Sequence, residues 1–232
     1  MNRTAIVTGA GSGIGRATAC LLIGQGWRVF AAGRRVAPLE ALATEVGAVP
    51  IQCDVTVHEA REALVEAAFG DAVPGARLAL VNAAGCAAFG PLGEVSELDL
   101  VAQIQANFVG PAALCRAVLP AMERAGGGRI VNVLSVAARH AFPGAGAYGG
   151  TKAGLLQVGR SLGLEVRSRG NEITALLPGA TDTPLWEAGA FVPDRADMLP
   201  ASAVAEAIRD ILHLPDDRAI DELVLMPPKG VL

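Results

Sequence analysis

The chain has 232 residues, 52% hydrophobic and 18% charged, enough apolar material for one domain whose core needs neither disulfides nor metals. Its 19 Lys and Arg against 23 Asp and Glu leave a net charge of −4, and no basic run is suited to tracking phosphates, so nucleic acid is not an expected partner. Cys20, Cys53, Cys86 and Cys115 are scattered without a CxxC pair or a zinc-type His spacing, and read as reduced, mostly buried small side chains.

A strand-like run at residues 4–7 begins almost at once, with no charged leader and signal-type apolar segment before it. Every long apolar stretch is broken by Gly, Asn, Arg or Pro before reaching membrane-spanning length. A cytoplasmic protein is therefore expected. Strands are predicted at 4–7, 28–32, 49–53, 78–82, 129–134, 172–177 and 222–225, most of them apolar throughout rather than alternating. Helices are predicted between them at 14–24, 37–45, 57–68, 98–125, 148–168 and 202–212. This alternation predicts an α/β fold, a doubly wound (Rossmann) parallel sheet of about seven strands within a single domain spanning 1–232. Gly110 and Pro111 interrupt the helix at 98–125, so a kink is predicted near Asn107. The irregular stretch 178–200, with Trp186 and Phe191, reads as a substrate-covering loop.

Thr8-Gly9-Ala10-Gly11-Ser12-Gly13-Ile14-Gly15 follows the first strand and opens a helix. Glycines allow a tight turn and close backbone approach, and free amides at a helix start attract a pyrophosphate. A glycine turn also serves simply to pack a strand on a helix. At the end of the second strand, where a carboxylate would accept the ribose 2′-hydroxyl of NAD, the chain has Gly33-Arg34-Arg35. Two guanidinium groups there suit a 2′-phosphate, predicting NADP(H) in preference to NAD(H), unless they merely solvate the loop. The missing carboxylate also argues against a methyltransferase, which would need it for ribose hydroxyls.

Tyr148, the sole tyrosine, stands four residues before Lys152 on a predicted helix, so both project from one face. A neighbouring ammonium lowers a phenol's pKa and equips it to exchange protons. Such a pair is often merely structural. Ser135, at the end of the fifth strand, strengthens the reading, because a hydroxyl there faces the ligand crevice and can hold a substrate oxygen beside Tyr148.

With these motifs in order, the chain resembles the short-chain dehydrogenase/reductase family over residues 4 to about 226. The TGxxxGxG pattern is met by Thr8, Gly9, Gly13 and Gly15, the Asn-Asn-Ala-Gly motif by Asn82-Ala83-Ala84-Gly85, and Tyr-x-x-x-Lys by Tyr148 and Lys152. Asp54-Val55 matches the pair flanking the adenine, and Pro178-Gly179-Ala180-Thr181-Asp182-Thr183 matches the motif after the sixth strand. The resemblance implies a catalytic tetrad of Asn107, Ser135, Tyr148 and Lys152, with Tyr148 as general acid and base between NADP(H) and a ketone or secondary alcohol. In it the Asn107 backbone carbonyl holds a water linked to the lysine. Cofactor contacts are implied for Gly9, Ser12, Gly13, Ile14, Gly15, Arg34, Arg35, Asp54, Val55, Asn82, Ala83, Gly85, Tyr148, Lys152, Pro178, Gly179, Thr181 and Thr183.

Three positions depart from the pattern: Ala83 for the second Asn, Leu134 for a serine beside Ser135, and Thr181 for an aliphatic residue. None removes a tetrad member, whose loss would mark a non-catalytic dinucleotide sensor. His140 reads as an exposed loop residue and Cys86 as packing or cleft lining. Gly149, Gly150, Ala153 and Gly154 form a small-residue helix face, and the resemblance implies a homodimer or homotetramer built on the two long helices.

Overall fold

The computed structural model describes residues 3–188 and 193–230; Phe191 lies outside them. In chain order the strands are β1 (Arg3–Thr8), β2 (Arg28–Gly33), β3 (Val49–Gln52), β4 (Arg77–Asn82), β5 (Gly128–Val133), β6 (Asn171–Pro178), the two-residue β7 (Thr181–Asp182) and β8 (Leu199–Pro200), and β9 (Glu222–Leu225). Seven of them form one parallel sheet in the order β3-β2-β1-β4-β5-β6-β9. β1 and β4, buried on both faces from their second residue onward, explain the unbroken apolar runs. At the sheet edge β3 alternates instead, with Val49 and Ile51 half-buried and Pro50 exposed, where a residue without an N–H is tolerated.

The helices are α1 (Gly13–Gly24), α2 (Val36–Val46), α3 (His58–Phe69), α4 (Glu97–Ile104), α5 (Gly110–Ala125), α6 (Gly146–Val166) and α7 (Ala201–Leu212). One core layer packs Ala5 and Val7 of β1 against Leu22, Leu39, Leu42 and Ile208 from α1, α2 and α7. The opposite layer packs Ile6 against Leu64, Leu114 and Met122 from α3 and α5. Leu155 and Leu156 of α6 meet Leu134, Ala175 and Leu177 in a third cluster. Successive residues of one strand thus serve opposite layers, as period-two side chains must.

Strand order reverses between β1 and β4, and the chain ties these two ends together there. The Thr8 hydroxyl accepts the N–H groups of Ala83 and Ala84 at 3.1 and 3.0 Å. Gly9 follows at φ +68°, and a Cβ on it would lie 2.8 Å from the Ala83 carbonyl oxygen. Such a switch point opens a crevice at the carboxyl ends of the strands.

The predicted kink is a π-helical turn, Gln105–Val109, between α4 and α5. Gly110 donates its N–H to the Gln105 carbonyl, one residue further back than in an α-helix. Pro111, next in line, has no N–H for the carbonyl of Asn107, its α-helical partner. The loop predicted at 178–200 carries more order than its sequence suggests. β7 pairs with β8, Pro184–Ala188 and Arg195–Asp197 form short 3₁₀ turns, and Arg195 pairs with Asp182.

A Gly9→Ala variant meets both a positive φ and the Ala83 carbonyl, so its unfolding free energy should fall by about 2 kcal/mol or more, measured by urea denaturation. An unchanged midpoint would refute the close approach of the two strand ends.

Candidate active site

Above the switch point lie two adjoining cavities. The smaller, about 150 Å³, is lined by Gly9, Ser12, Arg34, Arg35, Asp54 and Val55, with Thr56, Gly85 and Cys86 completing its wall. Neither Arg34 nor Arg35 forms an ion pair among the described residues, whereas most other surface arginines have a carboxylate partner. The one carboxylate on this wall, Asp54, accepts both the N–H and the hydroxyl of Thr56, at 2.9 and 2.8 Å. α1 has no acidic residue in its first turn, and the Ser12 side chain caps none of its amides. A dinucleotide phosphate therefore meets free amides, a glycine surface and two uncommitted guanidinium groups, a donor set that fits the group.

The larger cavity, about 640 Å³, has Ile14, Pro178, Gly179, Thr181 and Thr183 on the side nearest the glycine loop and Ser135 and Tyr148 on its wall. β5 ends at Val133 and delivers Ser135 to the rim, where its oxygen accepts the Ala137 N–H at 3.1 Å and leaves its own proton free to donate. Tyr148 stands in the first turn of α6. A Cβ on Gly149 would lie 2.8 Å from the Ala137 carbonyl, so the absence of a side chain there lets α6 press Tyr148 toward Ser135.

Behind the phenol, Lys152 is buried and its Nζ donates to the Val133 carbonyl at 3.0 Å. Its Nζ sits 5.6 Å from the centre of the Tyr148 ring. Asn107, fully buried, accepts the Cys86 N–H at 2.9 Å through Oδ1 and donates from Nδ2 to the Cys86 carbonyl at 2.8 Å and to Thr151 at 3.2 Å. Gly85 lies between the two: a Cβ there would be 2.9 Å from Asn107 Oδ1 and 3.7 Å from Lys152 Nζ. Of the four predicted tetrad residues, Ser135 and Tyr148 line the larger cavity, and Lys152 and Asn107 are buried behind them on either side of Gly85.

Burial sets the protonation states. It pushes the Tyr148 phenol up to about 12, against the pull of the Ser135 hydroxyl, and draws the Lys152 ammonium down to about 8. Burial thus outweighs the other influences on both groups.

A family model, short chain dehydrogenase, matches residues 3–190. A serine 3-dehydrogenase from Agrobacterium fabrum is 33% identical over 98% of this chain and 94% of its own length. Among solved structures, the closed form of a serine dehydrogenase complexed with NADP⁺ superposes with a TM-score of 0.88 at 28% identity, covering 99% of this chain and 96% of that one. An alcohol dehydrogenase from the archaeon Thermococcus sibiricus complexed with 5-hydroxy-NADP gives 0.85 at 29% identity, over 97% and 96%. The chain belongs to the short-chain dehydrogenase family. It is an NAD(P)-dependent oxidoreductase acting on CH–OH and C=O groups.

Within this dehydrogenase the other predicted positions divide. Asn82 does not face the crevice: its buried Nδ2 donates to Asn132 Oδ1 at 2.9 Å, tying β4 to β5, and Ala83 contributes backbone to the Thr8 bridge. Gly13 abuts Thr183, and Gly15 packs on the Gly9 backbone. His140 is exposed and lines neither cavity. Burial raises the Cys86 thiol against the pull of Arg34 and Lys152, which suits packing rather than nucleophilic attack. On the small-residue face Gly150 and Ala153 are exposed, but Gly149 and Gly154 face inward, toward Ala137 and Phe108.

Phe89, Phe142 and Met226, which also line the larger cavity, have no motif in the sequence. Their common signal is an apolar side chain in the segments that follow β4, β5 and β9, the ends where ligands bind.

Holding Lys152 charged at neutral pH costs roughly 3 kcal/mol, from its shift below an ordinary lysine. Lys152→Met, which also gives up the Val133 bond, should therefore raise the unfolding free energy at pH 7 by about 1–3 kcal/mol. Between about 8 and 10.5 the folded wild type sheds this proton before the unfolded chain does, so its stability climbs with pH there and the gap should narrow. Urea denaturation of both proteins at pH 7 and 9.5 checks this, and a gap that widens would contradict the sign.

Proposed function

We propose that this protein transfers a hydride between NADP(H) and a ketone or secondary alcohol, with Tyr148 as general acid and base, all within one domain. The observation that carries the reading is the placing of the Tyr148 phenol and the Ser135 hydroxyl on one cavity wall, with the Lys152 amine buried behind them. Bound NADPH would supply the hydride that reaches the carbonyl carbon. Ser135 donates to the carbonyl oxygen and holds it beside Tyr148. The phenol, protonated at neutral pH because burial raises it to about 12, gives its proton to that oxygen as negative charge develops. Lys152 keeps a donor within reach of the phenol and of a ribose hydroxyl. The Asn107 carbonyl, which receives no N–H from Pro111, offers an acceptor for a water from which the proton is replaced.

Preference for NADP(H) rests on Arg34 and Arg35, unpaired and without a competing carboxylate at the end of β2. The NADP⁺ in the serine dehydrogenase structure and the NADP derivative in the archaeal one agree with it. Assembly into a homo-oligomer is supported by Leu98 of α4 and Leu164 of α6, which are 83% and 78% exposed on the helices that also leave Gly150 and Ala153 open.

Mixing the protein with NADPH and a panel of ketones, while following the loss of nicotinamide absorbance, tests the reaction directly. Tyr148→Phe should lower kcat by about 1,000-fold or more while leaving the NADPH dissociation constant within about threefold, because the change removes one proton donor and no cofactor charge. Retained turnover would end the assignment. Arg34→Ala should weaken NADPH binding by about tenfold or more and NADH binding by less than about twofold; equal losses measured by titration would refute the phosphate-binding role.

A further inference from the structure

The larger cavity is lined, among the described residues, by no Lys, Arg, His, Asp or Glu. Its polar side chains are few and mostly engaged. The Thr181 hydroxyl donates to the Gly179 carbonyl at 3.0 Å and that of Thr183 to the Thr181 carbonyl at 3.4 Å. Ser135 and Tyr148 are left as the hydroxyls that can face a substrate.

Beside Tyr148 stands an aromatic wall. The Phe89 ring lies 5.7 Å from that of Tyr148, and Trp186 stacks on Phe89 at 5.5 Å with 15° between the planes. Both members are fixed by backbone. Trp186 Nε1 donates to the Thr181 carbonyl at 2.9 Å, so the indole's one polar atom is satisfied on the loop side. Gly90, directly after Phe89, donates to the Gly144 carbonyl at 2.8 Å, tying the Phe89 segment to the turn that enters α6 and Tyr148. A carbonyl held between Ser135 and Tyr148 therefore directs its larger substituent along this aromatic surface.

Resting on the reading proposed above, we infer that the substrate is an uncharged ketone or secondary alcohol whose larger substituent is apolar, an aryl or branched alkyl group, and that Phe89 and Trp186 select it. A free carboxylate or ammonium in this cavity would lose its hydration with no charged side chain among the described lining residues to replace it. Serine, named for the Agrobacterium relative, carries both charges and is excluded on this ground.

The experiment compares propiophenone, 2-butanone and acetoacetate as substrates with NADPH, and serine with NADP⁺. Propiophenone should exceed each of the others in kcat/KM by about 100-fold or more. Phe89→Ala and Trp186→Ala should each raise KM for propiophenone by about tenfold and cost 2-butanone a clearly smaller factor in kcat/KM, with Phe89→Leu and Trp186→Phe intermediate. Comparable rates with acetoacetate or serine, or equal losses on both ketones in all four variants, would overturn the inference. Calorimetric titration of the NADP⁺-loaded wild type with 1-phenyl-1-propanol separates the two readings. Binding without turnover of any ketone supports the substrate class and removes the role given to Tyr148, whereas no binding of this alcohol alongside turnover of 2-butanone overturns the class alone. Neither binding nor turnover overturns both.

Discussion

A lysine amine has been carried into the interior at Lys152 and left there with one protein acceptor on record, the carbonyl of Val133. Much of the surrounding architecture follows from that costly placement. α6 must approach the end of β5 closely enough for the amine to reach that carbonyl, and the missing side chain at Gly149 permits the approach. The same approach brings Tyr148 to the wall that holds Ser135. Burial then raises the phenol to about 12 and lowers the amine to about 8.

Beneath the site the polar groups are joined into a frame. Asn82 Nδ2 reaches Asn132 and the Cys115 sulfur, holding β4, β5 and α5 together just below the crevice floor. One turn higher Asn107 clamps the Cys86 backbone through both ends of its amide. Its side chain is thus occupied in fixing the loop after β4, while Pro111 withholds the N–H that an α-helix would direct at its main-chain carbonyl.

The sequence made the sheet legible because strands covered on both faces admit little but aliphatic residues, and the glycine loop because Gly9 cannot carry a Cβ beside Ala83. The break at Asn107 could be read from Pro111 by simple loss of a donor, though the π-helical form of the break could not, since it depends on Gly110 choosing the Gln105 carbonyl. Spacing on a helix shows that Lys152 can face Tyr148, but how deeply both are buried, and hence the net shift of each, is a property of the assembled layers. Nor does spacing separate Gly149 and Gly154, which face inward, from Gly150 and Ala153, which stay open.

The two cavities differ in how their chemistry is encoded, and this explains why the smaller was readable from motifs while the larger was readable only at Ser135, Tyr148 and the loop that carries Trp186. The dinucleotide cleft recognises groups common to every reaction of its class, so its residues sit in contiguous motifs at strand ends. The substrate cavity gathers Phe89, Phe142, Trp186 and Met226 from four separated segments, each an ordinary apolar residue in its own neighbourhood. Only the backbone ties, Gly90 to Gly144 and Trp186 to Thr181, convert them into a surface with a shape. One-third identity to a relative is thus compatible with a shared frame of strand ends and a different set of loop side chains around the cavity, because those side chains can be exchanged without disturbing the frame.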